Sequence, residues 1–289
     1  MIDKLNRLTD LSEKYRDPIA EIDWEKADPS LPWLPFDILS VSGSDLGLTE
    51  AQQTRFSQIE FARLCAAGIW LEGLLISRLS ARGFLDAPTE ETRIMLQEIR
   101  EETGHSLMFL RMIERAEIDG SKLLGPTRLL TWVAQKLNPD DADFWAMVYI
   151  GETVTDTFGL QALRRASDPK KLICPVAEEV LSLHHKDEAR HIAAARTLLQ
   201  ARIDNMSALR RWLFGRTLKF LLQRFLHATL YPTPASLAAI GIENPKKCAA
   251  EIRKCPKRLE LARTCATPAI NLISQNSRLS NMTPMEIKL

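Results

Sequence analysis

A Glu-x-x-His pair occurs twice in this chain, once as Glu102 with His105 and once as Glu188 with His191. Each pair lies in a long stretch with helical periodicity, where residues three apart project from the same face of the helix. One pair of this kind arises by chance in many amphipathic helices and is then usually part of a solvated face. Two such pairs on two long helices constrain the fold far more, because two helix faces then carry the same carboxylate and imidazole side chains.

The two pairs belong to a set of four long predicted helices. Apolar residues recur at helical spacing in each stretch, with few glycines or prolines inside it. The start at Thr89 has a capping residue followed by acids. The predicted helices cover about 50–82, ending near Gly83; Thr89 to Asp119–Gly120; about 140–166; and Pro175 to about Ile203. With few strand signals, these helices predict an all-α fold with a four-helix bundle.

The segments on either side of the bundle are richer in proline. Residues 17–49 contain four prolines and then Ser42–Asp45, which indicates an extended arm. A further helix is predicted over 207–229, and the Pro- and Lys-rich remainder shows only short helical pieces. We therefore expect an N-terminal arm over 1–49, the bundle over 50–230, and a C-terminal extension over 231–289 packed on the same domain. The bundle core then carries additional N- and C-terminal helices.

Composition and charge argue against several classes of protein. Lys+Arg number 38 against Asp+Glu 37, so no nucleic-acid partner is indicated. The apolar runs are shorter than the roughly 20 residues that cross a bilayer, and the N-terminus lacks a secretory pattern. We therefore expect a cytoplasmic protein without a membrane span. The five cysteines have no Cys-x-x-Cys spacing and are predicted to be reduced thiols: Cys65, Cys174, Cys248, Cys255 and Cys265.

Two further glutamates, Glu72 and Glu152, are each the lone acid of an apolar helical segment. An ionised carboxylate in such a segment is costly unless it meets a cation. Two Glu-x-x-His pairs, with one glutamate from each of two other helices, form the ligand set of carboxylate-bridged di-iron and di-manganese bundles. The sequence thus predicts a ferritin-like bundle with two metal ions. Iron and manganese both accept mixed carboxylate and imidazole ligands, so the ligand types do not separate them.

A third histidine, His184, precedes Glu188 by one helical turn. His184, Glu188 and His191 are related as i, i+4 and i+7, so all three side chains project from one face. Generic ferritin-like sites lack this additional histidine. His185 lies one residue off the face and is interpreted as a histidine that supports the site or lies on the surface.

The third histidine and two short motifs give a resemblance to a known family. The runs Ala67–Glu72 and His105–Phe109 are similar to those of the p-aminobenzoate N-oxygenase family of non-haem di-iron arylamine oxygenases, and the resemblance covers about residues 30–230. One departure is Gly104, where many relatives carry Arg. The family's four glutamates and three histidines map, in the same order, onto Glu72, Glu102, His105, Glu152, His184, Glu188 and His191.

The resemblance implies an activity and its requirements. The implied enzyme is a di-iron oxygenase that activates O2 through a peroxo intermediate and takes a small aryl amine through hydroxylamine and nitroso stages to a nitro product in biosynthesis. An electron-donating reductase and a homodimer are implied as well. In many such sites the acid before a ligand glutamate reaches the histidine of the opposite pair, a role that falls here to Glu101 and Asp187. Asp156 is a weaker candidate of the same type.

Other functions stay open on the sequence alone. A di-iron hydroxylase or desaturase acting at carbon would use the same fold, and so would a ferroxidase or iron-storage protein. A metal-free helical interaction module is the remaining alternative. No Arg can be assigned to a substrate carboxylate. Five residues one turn from the predicted ligands are candidates for a pocket, although residues at that spacing are ordinarily core: Ile69, Ile76, Phe109, Val148 and Thr155.

Overall fold

The computed structural model describes residues 2–82, 89–118, 128–168 and 172–275. Within these ranges the regular structure is helical, without any strand. The α-helices, in chain order, are α1 Ile2–Ser12, α2 Pro18–Glu21, α3 Glu50–Ala81, α4 Thr89–Arg115, α5 Arg128–Ala134, α6 Ala142–Ala166, α7 Pro175–Asp204, α8 Ala208–Leu230, α9 Pro234–Ala238, α10 Pro245–Ile252 and α11 Pro256–Gln275.

Four of these helices, α3, α4, α6 and α7, form the predicted bundle. Helix α3 packs along α4, α6 packs along α7, and contacts of α3 with α6 and of α4 with α7 join the two pairs. The buried apolar side chains of all four helices belong to one continuous core. The all-α, ferritin-like four-helix fold predicted from the sequence is therefore confirmed.

Local sequence explains where the bundle helices begin and how closely they pack. Thr49 caps α3 in a capping box with Gln52, whose backbone N–H bonds the Thr49 hydroxyl. In the middle of the bundle, Gly151 of α6 lies directly against the side chain of Leu71 on α3, where a β-carbon would collide with it. Leu71 and Gly151 each immediately precede a predicted ligand, Glu72 and Glu152 respectively. The close approach of the two backbones therefore places Glu72 and Glu152 near each other.

The helix boundaries agree with the expected ones to within a few residues where they can be compared. The predicted end near Gly83 lies outside the described residues, as does the one at Asp119–Gly120. Helix α4 already ends at Arg115, and Glu117 has a φ of 50°, in the left-handed region that stops a helix. No helix among the described residues is long and apolar enough to cross a membrane.

The flanking segments have more helix than expected. Residues 2–12 form α1, which packs on α4 and α7, and the arm after it folds onto the core through buried Trp24, Trp33 and Ile38. Helix α11 spans 20 residues with Pro268 inside it, so the expectation of only short C-terminal pieces was wrong. Its buried Ala262, Cys265, Ala266 and Ala269 belong to the core, and it packs on α6. Tertiary packing outweighs the local cost of a proline here.

Candidate metal centre

Each of the four bundle helices contributes one buried glutamate to the middle of the bundle. Glu72 comes from α3, Glu102 from α4, Glu152 from α6 and Glu188 from α7, and none of them is more than 2% exposed. Lone buried carboxylates of this kind are rare in proteins unless a cation or a hydrogen-bond network compensates them. The four glutamates therefore bring several acid groups together inside the bundle.

Three histidines join these glutamates. His105 and His191 are buried, and the side chain of His184 is 12% exposed. Ligand atoms within 4.8 Å of one another form three groups: Glu102, His105, Glu188 and His191; Glu72, His105 and His184; and Glu152, His184 and Glu188. The structure thus brings together all seven side chains that the sequence singled out. Because the groups share members, they describe one site with room for more than one cation.

The donor atoms are close but poorly paired with one another. Glu188 Oε1 lies 3.1 Å from His184 Nε2 and 3.4 Å from His191 Nδ1, and His191 Nδ1 lies 3.0 Å from Glu102 Oε1. Several of these atoms nevertheless lack a hydrogen-bond partner of good geometry among the described residues: Glu102 Oε1, Glu152 Oε1, both carboxylate oxygens of Glu188, and His191 Nδ1. Buried polar atoms that face a common centre without partners are what cation ligands require.

The histidines of the two Glu-x-x-His pairs are held from the outside by crossed acids. His191 Nε2 on α7 lies 3.0 Å from the carboxylate of Glu101 on α4. His105 Nε2 on α4 lies 3.4 Å from the carboxylate of Asp187 on α7. This is the arrangement that the resemblance implied. An acid on one ring nitrogen fixes the orientation of the ring and leaves the other nitrogen directed at the centre.

Arg190 joins the two crossed acids. Its guanidinium donates to Glu101 and to Asp187, at 2.8 Å in each case. Burial alone would raise the pKa of Glu101, but its bonds with His191, Ser12 and Arg190 lower that pKa to about 2. Both acids are therefore ionised at neutral pH. Arg190 was not among the residues predicted from the sequence, although its i, i+3 spacing from Asp187 is a signal that could have identified it.

The protonation of the central carboxylates shows how much a cation is needed. Burial, followed by the nearby carboxylate of Glu102, raises the pKa of Glu72. Burial and the carboxylate of Glu188 do the same for Glu152. A further buried acid, Glu98, lies one turn before Glu102, and burial raises its pKa to about 8. Without a cation, the site can hold this many acids only by keeping some of them protonated.

The N-terminal segment closes the site on the α4 side. The hydroxyl of Ser12 donates to the Glu101 carboxylate, and the hydroxyl of Tyr15 donates to the Glu101 carbonyl at 3.3 Å. The Tyr15 ring also stacks edge-on with His105, at a centroid distance of 6.4 Å. Gly104, where the sequence departs from many relatives, lies directly under the Tyr15 hydroxyl, and a β-carbon there would collide with it. The glycine makes room for the tyrosine.

A narrow cavity also reaches the centre. The empty space between its lining atoms is about 520 Å³ including the mouth, yet the centre of a water molecule fits in only about 20 Å³ of it. The cavity is therefore a slot. Its apolar wall is formed by Phe61, Leu64, Cys65, Gly68, Leu71, Phe109, Gly159, Val180 and Leu181. Its polar lining consists of Glu72, Glu152, Thr155, Asp156, His184 and His185.

Two of the polar residues form a pair that the sequence analysis had rated low. The carboxylate of Asp156 lies 2.5 Å from Nδ1 of His185. The side chain of His185 is 39% exposed and that of Asp156 is 14% exposed, so the pair lies toward the mouth of the slot. Asp156 therefore lines the cavity and does not hold a ligand histidine. Among the five pocket candidates, Phe109 and Thr155 line the slot, whereas Ile69, Ile76 and Val148 do not.

Comparison of the sequence with known families gives a match over nearly the whole chain. The model of the family p-aminobenzoate N-oxygenase AurF matches residues 3–276. The chain belongs to this family. Membership in the p-aminobenzoate N-oxygenase family, together with the carboxylate and histidine cluster, supports an oxidoreductase with a di-metal site.

Curated relatives of this family member are themselves described as uncharacterized proteins. One from Mycobacterium tuberculosis and one from Mycobacterium bovis are each 27% identical over 230 residues, which is 75% of this chain and 66% of the relative. The matched region therefore spans about two thirds of the length of these relatives.

Solved structures with a similar fold are R2-like ligand-binding oxidases. A tyrosine-to-phenylalanine mutant with an aerobically reconstituted Mn/Fe cofactor matches with a TM-score of 0.54 and 13% identity, over 97% of this chain and 94% of that chain. A glutamate-to-aspartate mutant of the same kind of protein matches with a TM-score of 0.53 and 14% identity, over 98% and 94%. At this identity the likeness shows that this member of the p-aminobenzoate N-oxygenase family shares their fold.

Proposed function

We propose that this protein is a di-iron oxygenase that transfers oxygen from O2 to the nitrogen of a small aryl amine. The observation that carries the proposal is the convergence of four glutamates and three histidines from four helices at one buried site. Family membership supports the choice of nitrogen as the atom oxidised. The proposed ligands are Glu72, Glu102, His105, Glu152, His184, Glu188 and His191.

The donor set fits two divalent cations in number and in charge. Four ionised glutamates carry the charge that two divalent ions neutralise, and the three imidazoles add neutral donors. Glu188 and Glu152, which have buried carboxylate oxygens without hydrogen-bond partners among the described residues, would be among the residues that hold the cations. Oxygen transfer needs a redox-active ion, which both iron and manganese can be. Iron is the proposed metal because of the resemblance to di-iron oxygenases, and manganese remains an outcome of the metal analysis.

Bound iron would supply the electron transfer to O2 that amino-acid side chains cannot perform. The protein's own residues orient the site and keep it dry. Glu101 and Asp187 fix the rings of His191 and His105, and the apolar slot excludes bulk water from the reacting amine. In the first oxygenation one atom of O2 enters the N–H bond, and the other leaves as water with two electrons and two protons.

The two electrons that the oxygenation consumes must be supplied by an electron donor. We propose a separate reductase as the donor, because the electrons must come from outside the candidate centre. A homodimer and a cytoplasmic location are part of the same proposal. Light scattering of the purified protein tests the dimer directly.

The test is to load the protein with iron, measure the metal per chain, reduce it, and expose it to O2 with a panel of aryl amines. Visible absorbance and product mass are followed together. We expect two irons per chain, an oxygen-dependent chromophore that decays faster with a suitable amine, and a product that has gained oxygen on nitrogen. Oxygen on carbon would replace the proposal by a hydroxylase or desaturase. Iron far above two per chain would replace it by iron storage.

Two histidine variants make the test specific. His184→Ala removes the third proposed imidazole ligand and should lower both metal content and product formation. His227→Ala removes an exposed histidine whose ring lies against that of Tyr231, away from the site, and should change neither. Absence of metal from the wild type under these conditions would overturn the proposal.

A further inference from the structure

Four large apolar side chains are exposed along one face of α8, and we name them the α8 stripe. Leu209 is 71% exposed, Trp212 52%, Leu213 45% and Phe220 41%. Their spacings of three, four and seven residues place them on the same side of the helix. The opposite side of α8, which includes Phe214, is buried in the core. A contiguous apolar surface of this kind marks a site of interaction.

The charge around the α8 stripe is of one sign. The whole chain is balanced, with Lys+Arg 38 against Asp+Glu 37, yet residues 205–242 contain five Lys and Arg residues and no Asp or Glu. Two of the five cations are engaged within the protein. Arg210 pairs with Asp143, and Arg211 donates to backbone carbonyls at the end of α7. The remaining positive charge of this run has no carboxylate of its own run to pair with.

The C-terminal end of the α8 stripe is basic. The guanidinium of Arg224 lies over the ring of Phe220, 5.2 Å from its centroid. Partial burial, followed by the charges of Arg253 and Arg224, lowers the pKa of His227, so both guanidinium groups lie near that ring. Arg224, His227 and Arg253 are exposed. The surface therefore combines protruding apolar side chains with adjacent arginines from α8 and from the end of α10.

We propose that this face of α8 binds the surface of an anionic membrane. Leu209, Trp212 and Leu213 would enter the boundary between headgroups and acyl chains. Arg224 and Arg253 would contact the lipid phosphates. Trp, Leu and Phe beside Lys and Arg are typical of helices that lie in a membrane interface, and anionic lipids attract such basic segments. The inference goes beyond the proposed function, because it requires neither bound metal nor substrate.

A second copy of the chain fits the α8 stripe less well than a lipid surface does. In a symmetric dimer the same patch of both subunits meets at the interface. Such a contact would cover the apolar side chains, but residues 205–242 of the second copy offer no carboxylate to Arg224. An anionic headgroup supplies the missing negative charge. The lipid surface thus matches both the apolar and the basic part of this face.

Sedimentation with vesicles tests the inference on the whole chain. Vesicles of phosphatidylcholine alone are compared with vesicles of equimolar phosphatidylcholine and phosphatidylglycerol. We expect roughly tenfold tighter binding to the anionic vesicles, because each Lys or Arg near such a surface contributes about fivefold, and we expect high salt to weaken this binding. Absence of binding, or equal binding to both kinds of vesicle, overturns the inference.

Matched variants assign the binding to α8. Leu209→Gln should lower the affinity for anionic vesicles roughly fivefold, whereas Leu172→Gln, which changes a leucine that is 69% exposed just before α7, should not. Arg224→Gln should lower that affinity by a similar factor, whereas Lys186→Gln, at an exposed cation of α7, should not. Equal losses in a variant and its control would show that α8 is not the binding face.

Light scattering of the same variants tests the second copy as the occupant. If Leu209→Gln converts a dimer into a monomer while vesicle binding stays at the wild-type level, the α8 stripe is a subunit interface and the inference fails. The substituted side chains are exposed, so the helical content measured by circular dichroism should stay unchanged. The wild-type comparison of the two kinds of vesicle decides the inference even if a variant does not fold.

Discussion

Arg190 connects the two acids that hold the buried histidines of the site. Its guanidinium binds both Glu101 and Asp187, which in turn hold the two buried histidines. Replacing it with Met should leave two acids without their shared cation and loosen both rings. Since partners of this kind typically tune metal affinity, we expect Arg190→Met to lower it by about 10–100-fold while the helical content stays unchanged. Competition with a chelator measures the affinity.

A control separates this effect from a general loss of positive charge. Lys186→Met removes an exposed cation from the same helix and should leave metal affinity unchanged. Arg190→Lys keeps the charge but cannot bind both acids in the same fork geometry, so an intermediate affinity is expected. Wild-type affinity in Arg190→Met would show that the guanidinium does not position the histidines.

At the level of single residues, the sequence alone reveals motifs that occur more than once and acidic residues that stand alone in apolar stretches. Two Glu-x-x-His pairs and two lone acids in apolar stretches marked all the residues that converge in the structure. Residues that reach the site from far along the chain carry no such local signal. Ser12 and Tyr15 contact Glu101 from more than 80 positions away, so only the folded structure reveals them.

At the level of elements, the contact between the N-terminal segment and α4 depends on Gly104. An Ala substitution in a helix normally stabilises it by about 1 kcal/mol relative to Gly. Here the added β-carbon would collide with the Tyr15 hydroxyl, so Gly104→Ala should instead destabilise the protein, by about 1–3 kcal/mol. Thermal or denaturant unfolding measures the difference.

Two comparisons identify the collision as the cause. Gly73 is an exposed glycine in α3 with open space around its β-carbon position, so Gly73→Ala should show the ordinary stabilisation. Adding Tyr15→Phe to Gly104→Ala removes the colliding hydroxyl and should recover part of the loss. If Gly104→Ala proves as stabilising as Gly73→Ala, the N-terminal segment does not pack on α4 as described.

The elements of the bundle were predictable from sequence for a physical reason, and α1 and α11 were less so. Long stretches with helical periodicity and few breakers leave little choice of structure, as in α3 and α7. In α11, Pro268 and the surrounding Lys and Arg weaken the local signal. That helix is held by packing, because buried Arg258 donates to the carbonyl of Ile38 at 3.0 Å and to that of Leu230. Such contacts have no local signature.

At the level of the whole molecule, the buried acids link stability to pH. Glu98 has a pKa raised to about 8 by burial, and the pKa values of Glu72 and Glu152 are raised as well. A raised acid contributes stability that is full below its unfolded pKa and is lost as pH rises through its folded value. His105 acts in the same direction: burial opposes its charged form, but bonds with Asp187 and Glu102 raise its pKa to about 10. The metal-free protein should therefore lose stability from pH 5 to pH 8.

Metal binding reverses this trend, because its ligands must be deprotonated. The melting temperature should fall with pH in the metal-free protein, and the gain on adding manganese, which avoids oxygen chemistry, should widen between pH 5 and pH 8. Glu98→Gln removes one raised acid that is not a proposed ligand, so the metal-free melting temperature should fall less steeply in that variant. Glu102 and Glu188, whose pKa values are lowered despite burial by nearby histidines, lose their contribution only in acid. A gain that is constant or shrinks as pH rises would show that cations do not replace protons at this site.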